Sequence, residues 1–180
     1  MKIYTKNGDK GITSVIGGIV RKDDVRIDAI GIIDEINCNL GLVISDMNNN
    51  KFYNKLLEIQ NELFLVGADL ADINCNKHRI QMKDISILEQ EIDQISEKYP
   101  LPEKFILPGG TKIAAQLHVI RSLIRNAERV VVSLSNISKI NPVIQPYLNR
   151  LSDYFFVLAW SINKKENIEI QFFNENVIKM

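Results

Sequence analysis

An amphipathic stripe runs through the stretch 111–134, TKIAAQLHVIRSLIRNAERVVVSL, and constrains the fold more than any other feature of the chain. Its apolar residues recur at alternating spacings of four and three and are Ile113, Leu117, Ile120, Ile124, Ala127, Val131 and Leu134. This spacing predicts an α-helix that buries one side along its whole length. Such a helix is stable only when elements with matching stripes cover that side.

A row of basic residues lies beside this stripe. Arg121, Arg125 and Arg129 recur every four residues, and His118 falls on the same flank. Neighbouring like charges repel by a few tenths of a kcal/mol, and Glu128 offsets only part of this. The flank is either the solvated side of a core helix or a clamp for a polyanion, because guanidinium groups bind phosphate oxygens in pairs.

Four further stripes of helical period predict an all-α, five-helix bundle with short connections. The predicted helices cover 26–47 and 53–71, a third segment capped by Asp84 and ended by Pro100, and a last one beginning near Ile144. One side of the first helix carries Asp34, Asn37 and Gly41, which indicates either close approach of another element or a solvated face with an incidental glycine. We expect a single domain over residues 1–180.

The connections carry three further predictions. The polar stretch 72–82 is expected to be a mobile loop in which Lys77, His78 and Arg79 form a solvated charge cluster. Phe105 precedes a stiff Pro-Gly-Gly turn, which is typical of an aromatic core anchor. The tail 168–173 alternates weakly and is expected to add a short extended piece.

Composition excludes several classes of function. Lys plus Arg and Asp plus Glu number 22 each in 180 residues, so there is no basic field for a nucleic-acid partner, although a local cationic pocket stays open. No apolar run approaches the length of a membrane span. Cys38 and Cys75 do not form a CxxC motif, and with two histidines a Cys/His metal site is not expected. Free thiols indicate the cytoplasm.

The N-terminal segment has the composition of a phosphate-binding loop. Glycines bring backbone N–H groups close to a ligand, and here they alternate with Thr5, Lys6, Lys10, Thr13 and Ser14. The Walker A pattern GxxxxGK[ST] is absent, and glycine-rich N-terminal segments are more often simple turns. From the residues alone, the chain is a helical bundle with a polyphosphate site as one of two interpretations.

Several stretches in order resemble one family. YTKNGDKGITSVIGG, GIIDEIN, FILPGGTKIAAQLHVIRSLIRNAER and YLNRLSDYFFVLA resemble the ATP:cob(I)alamin adenosyltransferases of the propanediol-utilisation (PduO) type. The resemblance implies a five-helix bundle that assembles as a homotrimer with active sites at subunit interfaces. It implies transfer of the 5′-deoxyadenosyl group of ATP to cob(I)alamin with release of triphosphate. It also implies Mg²⁺ bridging the phosphates.

The resemblance assigns roles to individual residues. The ATP contacts it implies are Thr5, Lys6, Asn7, Gly8, Thr13, Ser14, Lys22, Arg125, Glu128, Arg129 and Asn149. Asp34 is similar to the acid that pairs with Arg121 of a neighbouring subunit, and Phe105 resembles the aromatic at the lower face of the corrin. The family usually has Arg-Arg-Ala-Glu-Arg where this chain has Arg-Asn-Ala-Glu-Arg, with Asn126 in second place. That departure weakens the expected clamp.

Two other classes stay open. The protein could hold ATP or adenosylcobalamin for delivery or sensing, with weakened catalysis, or its arginine flank could only build an oligomer interface. An enzyme of this type would also need a corrinoid reductase and an adenosylcobalamin-dependent acceptor enzyme as partners.

Overall fold

The computed structural model describes residues 2–4, 6–47 and 51–174. In this part of the chain five helices follow one another, and their bounds are α1 Val25–Asp46, α2 Tyr53–Ala71, α3 Met82–Lys98, α4 Lys112–Ser135 and α5 Ile144–Lys165. Two short strands, β1 Ile12–Val15 and β2 Gly18–Arg21, precede them and pair antiparallel. The prediction of an all-α five-helix bundle is confirmed, with a small hairpin in front of it.

Helix α4 packs against both α1 and α5, while α2 packs on α1 and α3 on α5. The apolar stripe of α4 forms the centre of the core, and its residues with no exposed surface are Leu117, Ile120, Ile124, Ala127, Val131 and Leu134. Burying a large aliphatic side chain stabilises a fold by roughly 1.5–3 kcal/mol. The stripe therefore fixes which side of α4 faces solvent. Among the described residues, no helix has both the length and the apolar character needed to cross a bilayer.

Side chains near the starts of α1, α3 and α4 cap the first turns of these three helices. Asp24 accepts a hydrogen bond from the backbone N–H of Arg26 at 2.8 Å, and the Thr111 hydroxyl accepts one from Ala114 at 3.1 Å. Asp84 also caps its helix, but not from the predicted position. Helix α3 begins at Met82, and the Asp84 carboxylate reaches back to the N–H of Gln81 at 2.8 Å, as in a capping box.

The polar side of α1 meets α2, which is the first of the two interpretations of this side. The Asn37 side-chain amide donates to the Gln60 carbonyl at 3.3 Å, and the Gln60 amide donates to the Asn37 carbonyl at 3.2 Å. A β-carbon placed on Gly41 would lie 3.4 Å from Gln60 Nε2, so the glycine permits the close approach. Asp34 takes no part in this contact and stays exposed.

The stretch between α2 and α3 is a fixed connection, so the prediction of a mobile loop is wrong. Lys77 and His78 are exposed, as predicted, but Arg79 does not belong to a solvated charge cluster. The Asp69 carboxylate is 1% exposed and accepts from the backbone N–H groups of Arg79 and Ile80 and from the side chain of Asn141. The Arg79 guanidinium forms an ion pair with it at 2.8 Å. Local composition missed this because the partner lies on the preceding helix.

Replacing Asp69 with alanine is expected to lower the free energy of unfolding by about 3–5 kcal/mol, since it leaves the Arg79 charge and several donors without a partner. The matched control is Asp46→Ala, which breaks an ion pair with Lys112 of similar length, 2.7 Å, whose side chains are 39% and 74% exposed. Exposed pairs contribute about 0–1 kcal/mol. Urea unfolding of both variants measures the difference, and equal losses would contradict it.

The N-terminal hairpin was not predicted, although its non-helical character was. Its strands pair from Ile12 opposite Arg21 to Val15 opposite Gly18. Four residues give too short an alternation to stand out among glycines and hydroxyl residues. The two-residue connection is completed by Gly17, whose φ of +95° lies in the left-handed region that favours glycine.

The tail forms the expected extended piece. Leu107 N donates to the Gln171 carbonyl and Phe173 N donates to the Phe105 carbonyl, each at 2.8 Å. These two bonds flank an antiparallel bridge between Ile106 and Phe172. The tail therefore ties down the segment that leads into α4.

Candidate functional site

The N-terminal loop and hairpin enclose an open concavity of about 810 Å³. Its described lining is polar at the loop and mixed at the hairpin, and it consists of Lys6, Asn7, Gly8, Asp9, Lys10, Ile12, Thr13, Ser14 and Ile19. Five of the predicted nucleotide contacts thus share one surface. Thr5, also predicted, lies outside the described residues.

Lys22 adds a third amine at the edge of this concavity. A β-carbon on Gly8 would lie 3.0 Å from Lys22 Nζ, so the loop passes directly beside the amine. The backbone N–H of Lys22 donates to the Gly11 carbonyl at 2.8 Å, which closes the loop onto the end of β2. With Lys6 and Lys10 opposed by Asp9 alone, the concavity has the charge and the glycine-permitted geometry to bind an anion.

The predicted basic flank of α4 exists, but its members differ in burial. Arg121 is partly buried, and its Nε has no hydrogen-bond partner among the described residues. Burial lowers the pKa of Arg121, and the positive charge of Arg125 lowers it further. Arg125 and Arg129 are exposed. The flank therefore presents two exposed guanidinium groups to solvent and a third that has no ion pair among the described residues.

Two hydrogen bonds organise the distal end of this flank. Asn149 on α5 donates to the Glu128 carboxylate at 3.1 Å, which brings two predicted nucleotide contacts from different helices together. The Arg129 guanidinium donates to the Asn126 side-chain oxygen at 3.2 Å. Asn126 supplies no charge, yet it holds one of the arginines.

His118 lies on the Arg121 side of α4, as predicted, but it is buried and is not part of the exposed basic flank. The ring is 4% exposed and packs near Phe156, with 6.1 Å between ring centroids. Burial lowers the pKa of His118 to about 4, with Arg121 adding to the effect. The imidazole is therefore neutral at physiological pH and belongs to the α4–α5 contact.

Asp34 and Arg121 do not form an ion pair within the described part of the chain. Asp34 is exposed on α1, whereas Arg121 lies half-buried on α4. The pairing predicted between them was one across subunits, and it stays a prediction.

Phe105 is 85% exposed, so its interpretation as a core anchor is wrong. The backbone on either side of it is nevertheless fixed by the tail, and the following turn is fixed by Asn163 on α5. That amide donates to the Gly109 carbonyl and accepts from Thr111 N, each at 2.9 Å. An exposed aromatic on a rigid segment is a surface for a ligand or for a partner subunit.

The described residues offer no protein cage for a divalent metal. No group of three or more His, Cys, Asp or Glu side chains comes together in the part of the chain that the structure describes. Cys38 and Cys75 are free thiols, one exposed and one buried. A Mg²⁺ ion at this surface would have to take most of its oxygen ligands from a bound polyphosphate and from water.

The sequence predicted the polar groups of the site but not the elements that hold them in place. The sequence predicted Asn149 as a contact but gave no signal for Asn163. The docking of the hairpin turn onto residues 71–74 depends on backbone hydrogen bonds that no side-chain pattern reports.

The five-helix bundle carries a polar concavity at its N-terminal hairpin and an arginine flank on α4. This combination of fold and site defines a narrow class of proteins. The family model described as Cobalamin adenosyltransferase matches residues 3–162, and the chain belongs to this family. The corrinoid adenosyltransferase of Bacillus subtilis is 42% identical over 173 residues, covering 93% of this chain and 90% of the relative. The human corrinoid adenosyltransferase is 36% identical over 185 residues, and the match covers 97% of this chain and 74% of the human protein.

Solved structures show the same fold. A variant PduO-type ATP:corrinoid adenosyltransferase from Lactobacillus reuteri, complexed with cobalamin and ATP, superimposes with a TM-score of 0.91 at 40% identity. The match covers 97% of this chain and all of the other. Another variant of the Lactobacillus reuteri enzyme, complexed with ATP, superimposes with a TM-score of 0.90. The resemblance noted from the motifs is thereby confirmed.

Proposed function

We propose that this protein transfers the 5′-deoxyadenosyl group of ATP to cob(I)alamin, forming adenosylcobalamin and releasing triphosphate. The observation that carries the proposal is the match, over nearly the whole chain, to an enzyme complexed with both cobalamin and ATP. The concavity of the loop and hairpin supports it, because its amines and N–H groups suit a triphosphate. Phe105 supports it as an exposed aromatic suited to a large apolar ring system.

The reaction needs little covalent chemistry from the protein. The Co(I) centre of the substrate supplies the electron pair that attacks C5′ of ATP. A cobalt–carbon bond forms, the C5′–oxygen bond breaks, and the electron pair of that bond leaves with triphosphate. The chain must orient ATP and stabilise the leaving group as it gains negative charge. Lys6, Lys22, Arg125 and Arg129 serve that purpose.

The proposal includes a homotrimer with active sites at its interfaces. The partly buried guanidinium of Arg121 supports this: its Nε has no hydrogen-bond partner among the described residues, and burying a charge is unfavourable until an anion or hydrogen-bond acceptor compensates it. Asp34 on α1 of a second copy would supply that anion, since it is exposed and has no ion pair within its own described chain. We propose that the two meet across each interface.

Replacing Asp34 with alanine is expected to dissociate the trimer or reduce its activity about tenfold or more, because removal of one member of a desolvated pair leaves the other uncompensated. The control is Glu35→Ala, an exposed carboxylate next to it on α1. Light scattering gives the oligomeric state, and the exchanged pair Asp34→Arg with Arg121→Asp should restore it. A fully active wild-type monomer would rule out the interface site.

We further propose that the protein uses ATP together with Mg²⁺ and acts in the cytoplasm. Mg²⁺ would take its oxygen ligands from the triphosphate and from water rather than from a protein cage, and would offset negative charge on the phosphates. The single domain spanning residues 1–180 works in the cytoplasm, receives its corrinoid from a reductase and passes adenosylcobalamin to an acceptor enzyme. Nucleic acid and membrane partners are not part of the proposal.

An anaerobic assay with ATP and chemically reduced cobalamin tests the function. We expect the Co(I) absorbance to decay while adenosylcobalamin and triphosphate appear in equal amounts. Orthophosphate or pyrophosphate as the primary product would refute the mechanism. Stoichiometric binding of ATP and adenosylcobalamin without turnover would instead identify the delivery or sensor protein, and absence of ATP binding would leave only the interface role for the arginine flank.

A further inference from the structure

The turn of the N-terminal hairpin is docked onto the connection that follows α2. Ile16 N donates to the Ala71 carbonyl at 3.0 Å, and Ile73 N donates to the Ile16 carbonyl at 3.1 Å. Together they form a parallel bridge between Ile16 and Asp72. The one tight turn of the hairpin is thus held by backbone hydrogen bonds to the end of a core helix.

Two glycines allow this close contact. A β-carbon on Gly17 would lie 2.5 Å from Asn74 Nδ2, and one on Gly18 would lie 2.7 Å from Ile73 Cδ1. Gly17 also has a left-handed φ of +95°, whereas Gly18 is not among the positive-φ residues. At Gly18, therefore, the contact with Ile73 is the specific obstacle to a side chain.

The support beneath the turn is itself rigid. The Asp72 carboxylate is 2% exposed and accepts from the backbone N–H groups of Asn74 and Asn76, each at 3.2 Å. Cys75 N donates to the Asp72 carbonyl at 3.0 Å. Asp69, three residues earlier, fixes the far end of the connection through Arg79 and Ile80. The side chain of Ile73 is consequently presented from a fixed backbone.

In the described part of the chain, the hairpin packs against no helix as extensively as its two strands pair with each other. A two-stranded hairpin is marginally stable in isolation, and this one has only four residues in each strand. Thr13 and Ser14, which line the concavity, lie within a few residues of the docked turn. Any rocking of the turn would displace both hydroxyls relative to Lys6 and Lys22.

We infer that Ile73 is a positioning residue for the nucleotide: by packing against Gly18 it holds the hairpin in the orientation that places Thr13 and Ser14 around the triphosphate. The inference rests on the proposed use of ATP and adds a support that lies outside the concavity. Ile73 touches no substrate in this scheme. Its effect passes through the backbone of Gly18.

Exchanging one methyl group between the two sides of the contact tests this. Gly18→Ala adds a β-carbon against Ile73 Cδ1, and Ile73→Val removes that atom. We expect Gly18→Ala to raise the KM for ATP about tenfold and Ile73→Val about threefold, with kcat and the KM for cobalamin unchanged. The double variant should return to within about twofold of wild type, since contacting residues couple.

Two further readouts separate positioning from general stability. The dissociation constant for ATP, measured by equilibrium dialysis without cobalamin, should follow the same order as the KM. Hydrogen exchange at the Ile16 and Ile73 amides should accelerate in the single variants and recover in the double variant. Ile137→Ala, which truncates an isoleucine that is 69% exposed between α4 and α5, is the matched control and should change neither quantity.

Additive effects in the double variant would overturn this inference and leave the proposed function intact. Single variants that bind ATP like wild type would have the same consequence. A wild-type protein that does not bind ATP would overturn the proposed function and this inference with it. An equal fall in Tm and in affinity for both substrates would assign Ile73 a purely structural role and would also contradict the inference.

Discussion

Arg125→Ala is expected to lower kcat/KM for ATP by about 100-fold, comparable to the loss of one preorganised donor at a developing negative charge. Arg125 is exposed on α4, between the partly buried Arg121 and the Asn126-held Arg129. Arg125 has no hydrogen bond or ion pair with another described side chain, so it can turn its whole guanidinium fork toward a phosphate. Both kcat and KM should change, because the contact strengthens as triphosphate leaves.

Two variants sharpen this test. Arg125→Lys keeps the charge but loses the paired N–H groups, so its kcat/KM should lie between wild type and alanine. Lys139→Ala removes the same unit charge from an exposed position in the α4–α5 connection and should have no effect. Steady-state kinetics with ATP as the varied substrate measures all three. Unchanged constants for Arg125→Ala would return this residue to the solvated flank of a core helix.

The helical bundle was predictable because its cause is repeated along the chain. The stripe from Leu117 to Leu134 determines a buried side by its spacing alone, and each helix carries a similar pattern. The buried side of each helix could therefore be predicted without knowing which other helix packs against it. The family motifs added the expected chain order of the site, and the fold comparisons confirmed the class.

The errors have a common physical origin in contacts between distant segments. Arg79 was predicted to be solvated because its neighbours are polar, yet Asp69 on α2 neutralises it. His118 shares a helical flank with arginines in projection, yet the packing of α5 buries it beside Phe156. Helical periodicity assigns a direction to each side chain but does not say where the adjacent helix lies.

The candidate site was predictable as a set of residues but not as an arrangement. One concavity collects Lys6, Gly8 and Thr13, while a separate hydrogen bond joins Glu128 to Asn149. Asn126 illustrates the limit of reading a motif by charge. Asn126 lacks the positive charge that the resemblance led us to expect at this position, but its side-chain oxygen is an acceptor for the neighbouring Arg129.

The exposure of Phe105 leads to the second large effect, which concerns cobalt rather than ATP. The ring is 85% exposed, while the tail and Asn163 fix the segment that carries it. A rigidly held apolar ring is suited to cover the lower face of the corrin. There it would keep water and the dimethylbenzimidazole base of cobalamin away from the metal. Removing the lower ligand from Co(II) should make its reduction to Co(I) easier.

Phe105→His is therefore expected to slow the reduction-dependent reaction severely, because an imidazole is a metal ligand and would stabilise five-coordinate Co(II). A tenfold loss of the reducible form corresponds to about 59 mV for this one-electron couple. Phe105→Ala should admit water and have a smaller effect in the same direction. The affinity for ATP should change little, since the concavity and the arginine flank are untouched.

The absorption spectrum of Co(II)alamin bound together with ATP discriminates directly between these outcomes. Wild type should show the four-coordinate species, Phe105→Ala a mixture, and Phe105→His the five-coordinate species alone. Phe64→His, which places the same side chain on α2 at a position that is 69% exposed, should behave as wild type. If all four proteins give one spectrum and similar rates, Phe105 has no role at the metal, and its ring then serves contact between subunits, because its exposure of 85% excludes a role in the core of its own chain.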